Sequence, residues 1–166
     1  MNVIIIRRER FLHDGSHLVE ANAFRRLAWQ GAALDLKPAL ALKTRIAYVK
    51  RLQEGETAGY NRAYTALAPV WIATLPVGHA DGLPRNAAKG GRVRINGKLY
   101  PIIASVSASH TIVEIGPERR VEIGDEATLF DWTEGSRPED LAAACAASVY
   151  DLTMHLNPLL PRRIIA

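Results

Sequence analysis

Arg92-Val93-Arg94-Ile95-Asn96-Gly97-Lys98-Leu99-Tyr100-Pro101-Ile102-Ile103 carries the clearest local signal in the chain. Two apolar-rich runs flank an Asn-Gly pair. A two-residue turn of the type that matches strand twist needs positive φ at both central positions, which asparagine and glycine adopt most readily. The segment therefore predicts two antiparallel strands joined by a tight hairpin. Working outward, residues 69–77 hold Val70, Trp71, Ile72, Thr74 and Leu75, a mostly buried strand. Residues 111–115 alternate, and Gly124-Asp125-Glu126 opens another strand over 127–130. Residues 40–53 alternate in part, with Leu42, Thr44, Ile46, Tyr48 and Lys50 on one parity, and Glu54-Gly55-Glu56 reads as a turn. Short strands joined in succession by turns indicate an antiparallel sheet. The expected fold class is mainly β, an antiparallel β-barrel-like domain of about six or seven strands with peripheral helices.

The flanks are less uniform. Residues 2–6 are rich in β-branched side chains and predict a short strand, which His13-Asp14-Gly15-Ser16 ends with turn chemistry. Residues 17–34 place Ala21, Phe24, Leu27 and Ala28 at helical spacing, with Ser16 as the N-cap, and Lys37-Pro38 closes the segment. This amphipathic helix packs on the β domain or docks a partner chain. After Arg137-Pro138 a second helix is expected through Ala147, capped by Ser136 or Asp131, with Glu139 and Asp140 in its first turn. The organisation expected is an N-terminal strand/helix extension over 1–35 and a β domain over 36–166.

Composition bounds the rest. The chain has 166 residues, near the size of one domain, with 48% hydrophobic and 23% charged residues. That excludes a disordered tail, a collagen-like fibre and a coiled coil. The net charge of +4 is mild and does not by itself imply nucleic acid. The single cysteine, Cys145, cannot form an internal disulfide, which fits a reducing compartment, and its alanine-rich surroundings predict a buried, inert thiol. No apolar run approaches the ~20 residues that span a bilayer. Residues 1–6 carry no basic lead and do not read as a signal peptide. The expectation is a soluble cytoplasmic protein.

Familiar catalytic motifs are absent: there is no phosphate-cradling glycine loop, no Gly-x-Ser-x-Gly elbow, and no metal-ligand spacing among His13, His17, His79, His110 and His155. One region stands out. Ala58-Gly59-Tyr60-Asn61-Arg62-Ala63-Tyr64-Thr65 is followed by Trp71-Ile72-Ala73-Thr74-Leu75-Pro76-Val77-Gly78-His79-Ala80-Asp81-Gly82-Leu83-Pro84-Arg85. Gly59 permits a close backbone approach just before Tyr60. Gly78 and Gly82 frame a loop that presents His79, Asp81 and Arg85. The residues alone leave two alternatives open: this loop is a site, or it is a strand with an Asp-Gly turn beside a half-buried aromatic.

These stretches resemble the C-terminal domain of alanine racemases, which are fold-type III pyridoxal phosphate enzymes. The resembling pieces stand in order: Leu36-Lys37-Pro38-Ala39-Leu40 with Leu42-Lys43-Thr44, Gly59-Tyr60-Asn61, the strand from Trp71, Gly78-His79-Ala80-Asp81-Gly82, Asn96-Gly97 with Tyr100-Pro101-Ile102-Ile103, Ile123-Gly124-Asp125-Glu126-Ala127-Thr128-Leu129-Phe130, and Asp140-Leu141-Ala142 with Tyr150-Asp151 and Leu160-Pro161-Arg162. The resemblance implies that Tyr60 is a catalytic base on one face of the cofactor, delivered across a dimer interface. It implies a second base, the lysine that holds the cofactor as a Schiff base on the opposite face. Tyrosine, whose ordinary pKa is about 10, suits such work only beside positive charge. By the same resemblance, alanine is the substrate, the Ala108 backbone amide helps hold its carboxylate, and His79 stands where the family places a tyrosine that gates the entrance.

The departures are specific. The family lysine and most cofactor contacts lie in an N-terminal barrel that has no counterpart here, so no pyridoxal phosphate is expected on this chain alone. Ser107-Ala108-Ser109-His110 replaces the usual Cys-Met-Asp-Gln, and Asn157-Pro158-Leu159 replaces a tyrosine that contacts the cofactor phosphate. Two functions follow. One is the C-terminal part of an alanine-racemase-like enzyme whose partner is a barrel-bearing chain or a second copy in a homodimer, inactive alone. The other is a non-enzymatic β-module for protein association. A basic nucleic-acid-binding barrel around Arg92, Arg94, Lys98, Arg119 and Arg120 is a weaker third, because no aromatics interleave those strands. No membrane partner is expected.

Overall fold

The structure, a computed structural model, describes residues 3–7, 28–29, 32–33 and 39–165. The strands in chain order are β1 (Val3–Arg7), β2 (Ala28–Trp29), β3 (Ala32–Ala33), β4 (Leu40–Arg45), β5 (Tyr48–Leu52), β6 (Thr57–Ala58), β7 (Tyr64–Thr65), β8 (Val70–Leu75), β9 (Arg92–Ile95), β10 (Lys98–Ile103), β11 (Thr111–Gly116), β12 (Glu126–Phe130) and β13 (Arg162–Ile165). Two short helices, α1 (Pro138–Ala144) and α2 (Val149–Met154), lie between β12 and β13. The nine-stranded sheet has the order β13-β1-β4-β12-β9-β10-β11-β8-β5. All its pairings are antiparallel except β1 with β13. The mainly β, barrel-like antiparallel fold with peripheral helices matches the expectation.

The hairpin forms in the predicted register. Lys98 faces Ile95 and Tyr100 faces Val93, across a turn with φ of 50° at Asn96 and 78° at Gly97. A side-chain bond from Asn96 Nδ2 to Asp125 Oδ2, 2.8 Å, ties the turn to the bend before β12.

Two places turn the sheet. Within β10, residues 98–101 pair with β9 and residues 102–103 pair with β11, so one strand serves both halves. The stretch 40–53 is the second. It is not one alternating strand but two, divided at Ile46-Ala47. β4 pairs with β12, whereas β5 pairs with β8. Ile46 N–H bonds to Asp125 O at 2.9 Å and Ala47 N–H to Thr74 O at 3.0 Å, which satisfies the backbone at the corner. The parity breaks there: Leu42, Thr44 and Ile46 are buried, but Tyr48 is 56% exposed. The alternation changes phase where the chain moves to a new partner.

The core lies inside the curl, around Leu42, Leu75, Val93, Ile95, Leu129 and Phe130, and α1, its C-cap residue and α2 add Leu141, Cys145 and Leu152. Each such fully buried side chain contributes about 1.5–3 kcal/mol. A smaller cluster of Leu52, Ala66, Val70, Ile72 and Ile103 lies on the other side of β8, with Tyr64 and Ile112 packed against it.

The flanks need correction. The helix expected over 17–34 is replaced at Ala28–Trp29 and Ala32–Ala33 by a two-stranded ladder; the rest of it, with Ser16, His13 and His17, lies outside the described residues. Gly31, between those strands in sequence, costs a helix interior about 1 kcal/mol, and residues spaced to face one side do not outweigh it. The early strand exists, and β1 is laid directly into the main sheet beside β4. The helix expected through Ala147 stops at Ala144. Ala146 takes φ 52°, and Ala147 N–H to Ala142 O, 2.9 Å, with Ala146 N–H to Ala143 O, 3.1 Å, closes the end. Neither Ser136 nor Asp131 caps α1. Arg137 holds the N-cap position, its N–H bonded to Asp140 Oδ2 at 2.9 Å, while Ser136 Oγ donates to buried Asp131. Among the described residues, no helix is long and apolar enough to cross a membrane.

Candidate functional site

The site is built on the excursion between β6 and β7. Residues 60–62 form a single 3-10 turn introduced by Gly59, whose φ is 77°. A Cβ placed on Gly59 would lie 2.5 Å from the Ala104 Cβ. Gly59 thus meets two demands at once, a left-handed backbone and a close approach to the end of β10. Asn61 and Arg62 follow at φ 55° and 54°, also left-handed. Non-glycine residues in that region each cost energy, so the turn persists because its surroundings hold it. The Tyr64 hydroxyl, just downstream, donates to Glu114 Oε2 at 2.7 Å and pins β7 to β11. Burial and the neighbouring Glu114 carboxylate push the Tyr64 phenol up to about 12.

The result is an outward-facing phenol. Tyr60 is 65% exposed, not half-buried, at the start of that turn. It lines an open groove of about 350 Å³ with Gly59, Ser105, Ser107, His110 and Ile112. The Ser107–His110 segment closes on itself: Ser107 N–H donates to His110 O at 2.9 Å, and Ser107 Oγ accepts the His110 N–H at 2.9 Å.

Of the other residues singled out, His79 and Ala108 are brought near each other. His79 begins a 3-10 turn at 79–81 whose N–H groups bond across to the serine segment, His79 N–H to Ser107 O at 2.9 Å and Ala80 N–H to Ala108 O at 2.8 Å. The turn is closed internally by Gly78 N–H donating to Asp81 Oδ2 at 2.9 Å, so Asp81 serves the loop's own shape. Asn157 fastens the far side, its Nδ2 donating to Ala80 O at 2.9 Å. Neither His79 nor Ala108 lines the Tyr60 groove; the strand of residues joining them to it is Ser107–His110. Ser105, His110 and Ile112 are lining residues that the sequence did not single out. The run of three serines at alternate positions, 105, 107 and 109, was the available signal.

Cofactor fit can be tested on the lining itself. Among the described residues, no lysine borders the groove. Lys43 is bonded to Glu126 at 2.6 Å, and Lys98 lies over the Tyr100 ring at 5.3 Å. The groove's lining among the described residues therefore supplies no Schiff-base amine beside Tyr60. Among the described residues, no cluster of three potential metal ligands occurs. Cys145 is buried, and burial pushes its thiol up, away from reactive thiolate. Several cations of the basic stretches are paired: Arg120 with Glu118 at 2.7 Å, Arg94 with Asp131 at 3.8 Å, and Arg119 with Glu122. That pairing weakens a phosphate-binding surface there.

Residues 39–164 match the family described as the alanine racemase C-terminal domain. The chain is 35% identical over 130 residues to an alanine racemase of Cutibacterium acnes, covering 77% of this chain and 35% of that protein. It is 38% identical over 133 residues to one from Listeria monocytogenes, covering 79% and 35%. Among solved structures, the biosynthetic alanine racemase of Pseudomonas aeruginosa superposes with a TM-score of 0.77 at 27% identity, over 88% of this chain and 40% of that one. An alanine racemase from Streptomyces lavendulae gives 0.74 at 31% identity, over 79% and 35%. The chain spans about a third of the length of the curated relatives it matches.

Proposed function

The chain belongs to the alanine racemase C-terminal domain family, and from that premise we propose that it supplies one half of an amino-acid racemase site, with Tyr60 as the proton-carrying group. The observation that carries this is the exposed phenol on a backbone fixed from both ends, facing an open groove rather than its own core.

Racemisation moves a proton off one side of an α-carbon and returns one on the other, so it needs two acid/base groups on opposite faces. The groove offers one. The second, with the pyridoxal phosphate that the family uses, comes from a barrel-bearing chain or from a second copy in a homodimer. Tyr60, 65% exposed, is open to such a partner. Its phenolate accepts the α-proton and its phenol returns one, and the positive charge that makes a phenol an effective base comes from the completing chain. The Ala108 amide and the His79 loop, joined through Ser107 O, form the neighbouring wall that meets the substrate carboxylate and the entrance. Residues 36–166 act as the β domain of this half-site, and residues 1–35 as an extension whose strand β1 enters the same sheet.

Mixing the purified chain with an alanine racemase barrel domain and following D/L-alanine interconversion tests this directly. Activity is expected only in the mixture, and Tyr60→Phe is expected to lower it by about 10²–10⁴-fold. The alternative, a non-enzymatic association module, is favoured by the lining without a lysine and by exposed apolar side chains such as Leu67 and Leu159, each 88% exposed. Self-association with no activity in any mixture would select that alternative.

A further inference from the structure

The 3-10 turn at 79–81 is packed closely on both sides. A Cβ on Gly78 would run into the Ser107 and Ala108 carbonyls, and one on Gly82 into the His155 carbonyl. The turn is therefore a layer between the Ser107–Ala108 segment and the chain that follows α2. Ser107 lines the Tyr60 groove, and Ala108 is the next residue.

Asn157 joins the outer side of this layer. Its Nδ2 donates to Ala80 O at 2.9 Å, and its backbone N–H donates to Asp81 O at 3.2 Å, so it meets two consecutive carbonyls of the turn. Its Oδ1 accepts the Leu159 N–H at 2.9 Å. One end of the amide faces an acceptor and the other a donor, so a single orientation satisfies both. On the inner side, His79 N–H and Ala80 N–H donate to Ser107 O and Ala108 O at 2.9 and 2.8 Å. Ala80 is thus bonded from both directions, by Asn157 at its carbonyl and to Ala108 at its N–H. Asn157 itself does not line the groove.

We propose that Asn157 is a positioning residue for the Tyr60 groove: by holding the 79–81 turn it fixes the Ser107–Ala108 segment, and with it the Ala108 amide. This rests on that amide meeting the substrate carboxylate, as proposed above, and deepens it by naming what sets the amide's place.

Hydrogen exchange of the full chain reads the positioning directly. Asn157→Asp keeps an acceptor for the Leu159 N–H but turns a carboxylate oxygen towards Ala80 O, so it removes only the side-chain bond to the turn. The His79 and Ala80 amides are expected to exchange about fivefold to tenfold faster, the effect of one lost hydrogen bond. Asn157→Ala leaves Ala80 O to water without adding charge. It is expected to accelerate the same two amides, and it serves if the charged variant unfolds. Amides of β9 and β10 are expected to keep their rates. In the mixture with the barrel domain, Asn157→Asp is expected to raise the alanine KM by about fivefold and leave kcat within about twofold, because the substrate carboxylate is held alike in ground and transition states. A merely structural role lowers the folded fraction, which reduces the apparent kcat and leaves KM as it is. Unchanged exchange at His79 and Ala80, equal acceleration in β9 and β10, or a lower kcat at unchanged KM each overturns the proposal. The racemase reading fails separately, in a wild-type mixture without activity; the exchange rates of the chain alone then decide the positioning.

Discussion

The hairpin turn at Asn96-Gly97 and the turn at Gly59-Tyr60 use nearly the same backbone at their glycines, φ 78° and 77°. They differ in what surrounds that backbone. A Cβ on Gly97 would meet nothing within 4 Å, whereas one on Gly59 would run into Ala104. The hairpin is a local solution that its own two residues specify. The Tyr60 turn is held from outside, by β10 on one side and by the Tyr64–Glu114 bond on the other. A turn of the first kind shapes a sheet, and a turn of the second kind aims a side chain.

The largest effect expected from this contrast is on function. Tyr60→Phe should leave the unfolding free energy unchanged, because the hydroxyl of an exposed ring supports no packing, yet lower the activity of the reconstituted mixture by about 10²–10⁴-fold, the usual worth of a general acid/base. An unchanged rate would break the distinction between a shaping turn and an aiming turn.

Next in size is Gly59→Ala. Left-handed strain of about 1 kcal/mol and a clash of about 1–3 kcal/mol should together cost about 3 kcal/mol in urea unfolding. Ala104→Gly removes the obstructing Cβ, so the double variant should recover the clash portion and leave the strain. Additive losses in the two variants would show that Ala104 is not what confines the turn.

The two regions should also answer opposite ends of the pH scale. The Tyr64 phenol is pushed up to about 12 by burial and Glu114. The folded state therefore favours its neutral form, and the stability this contributes is complete below the ordinary phenol pKa of about 10 and is lost as pH rises from there through about 12. Asp125, at the hairpin end, is held below its ordinary range by the Glu122 backbone N–H and the Asn96 side chain. Its contribution is present above the ordinary carboxylate pKa of about 4 and is lost as pH falls below it. Urea midpoints measured across both ranges should fall at the two ends; Tyr64→Phe should flatten only the alkaline limb and Asn96→Ala should soften only the acid one.

The smallest effect belongs to Gly97→Ala, about 1 kcal/mol, from backbone strain alone. A cost equal to that of Gly59→Ala would erase the contrast between the turns.

What was legible beforehand follows the range of the forces involved. Asn96-Gly97, the strand from Val70 and the strand ending at Phe130 are encoded within a few residues, so alternation and turn chemistry placed them. The motifs around Tyr60 placed the family. The corner at Ile46-Ala47 was not legible, because either side of it alternates normally and only the choice of different partners, β12 and β8, bends the chain. The end of α1 was missed because alanine at 146 conceals a left-handed residue that glycine usually announces. His110 was visible only as a departure from a pattern. That it borders the same groove as Tyr60, fifty residues earlier in the chain, is decided by the fold.

The sequence by itself determined the class of fold, the hairpin, the glycine that precedes Tyr60 and the family, because each is written in adjacent residues. Tertiary structure decided where the sheet turns, that β1 joins it beside β4, and which serines and which histidine border the exposed phenol. The physical reason is that strand partnership and side-chain proximity are set by long-range hydrogen bonding and burial, which leave no period in the chain to read.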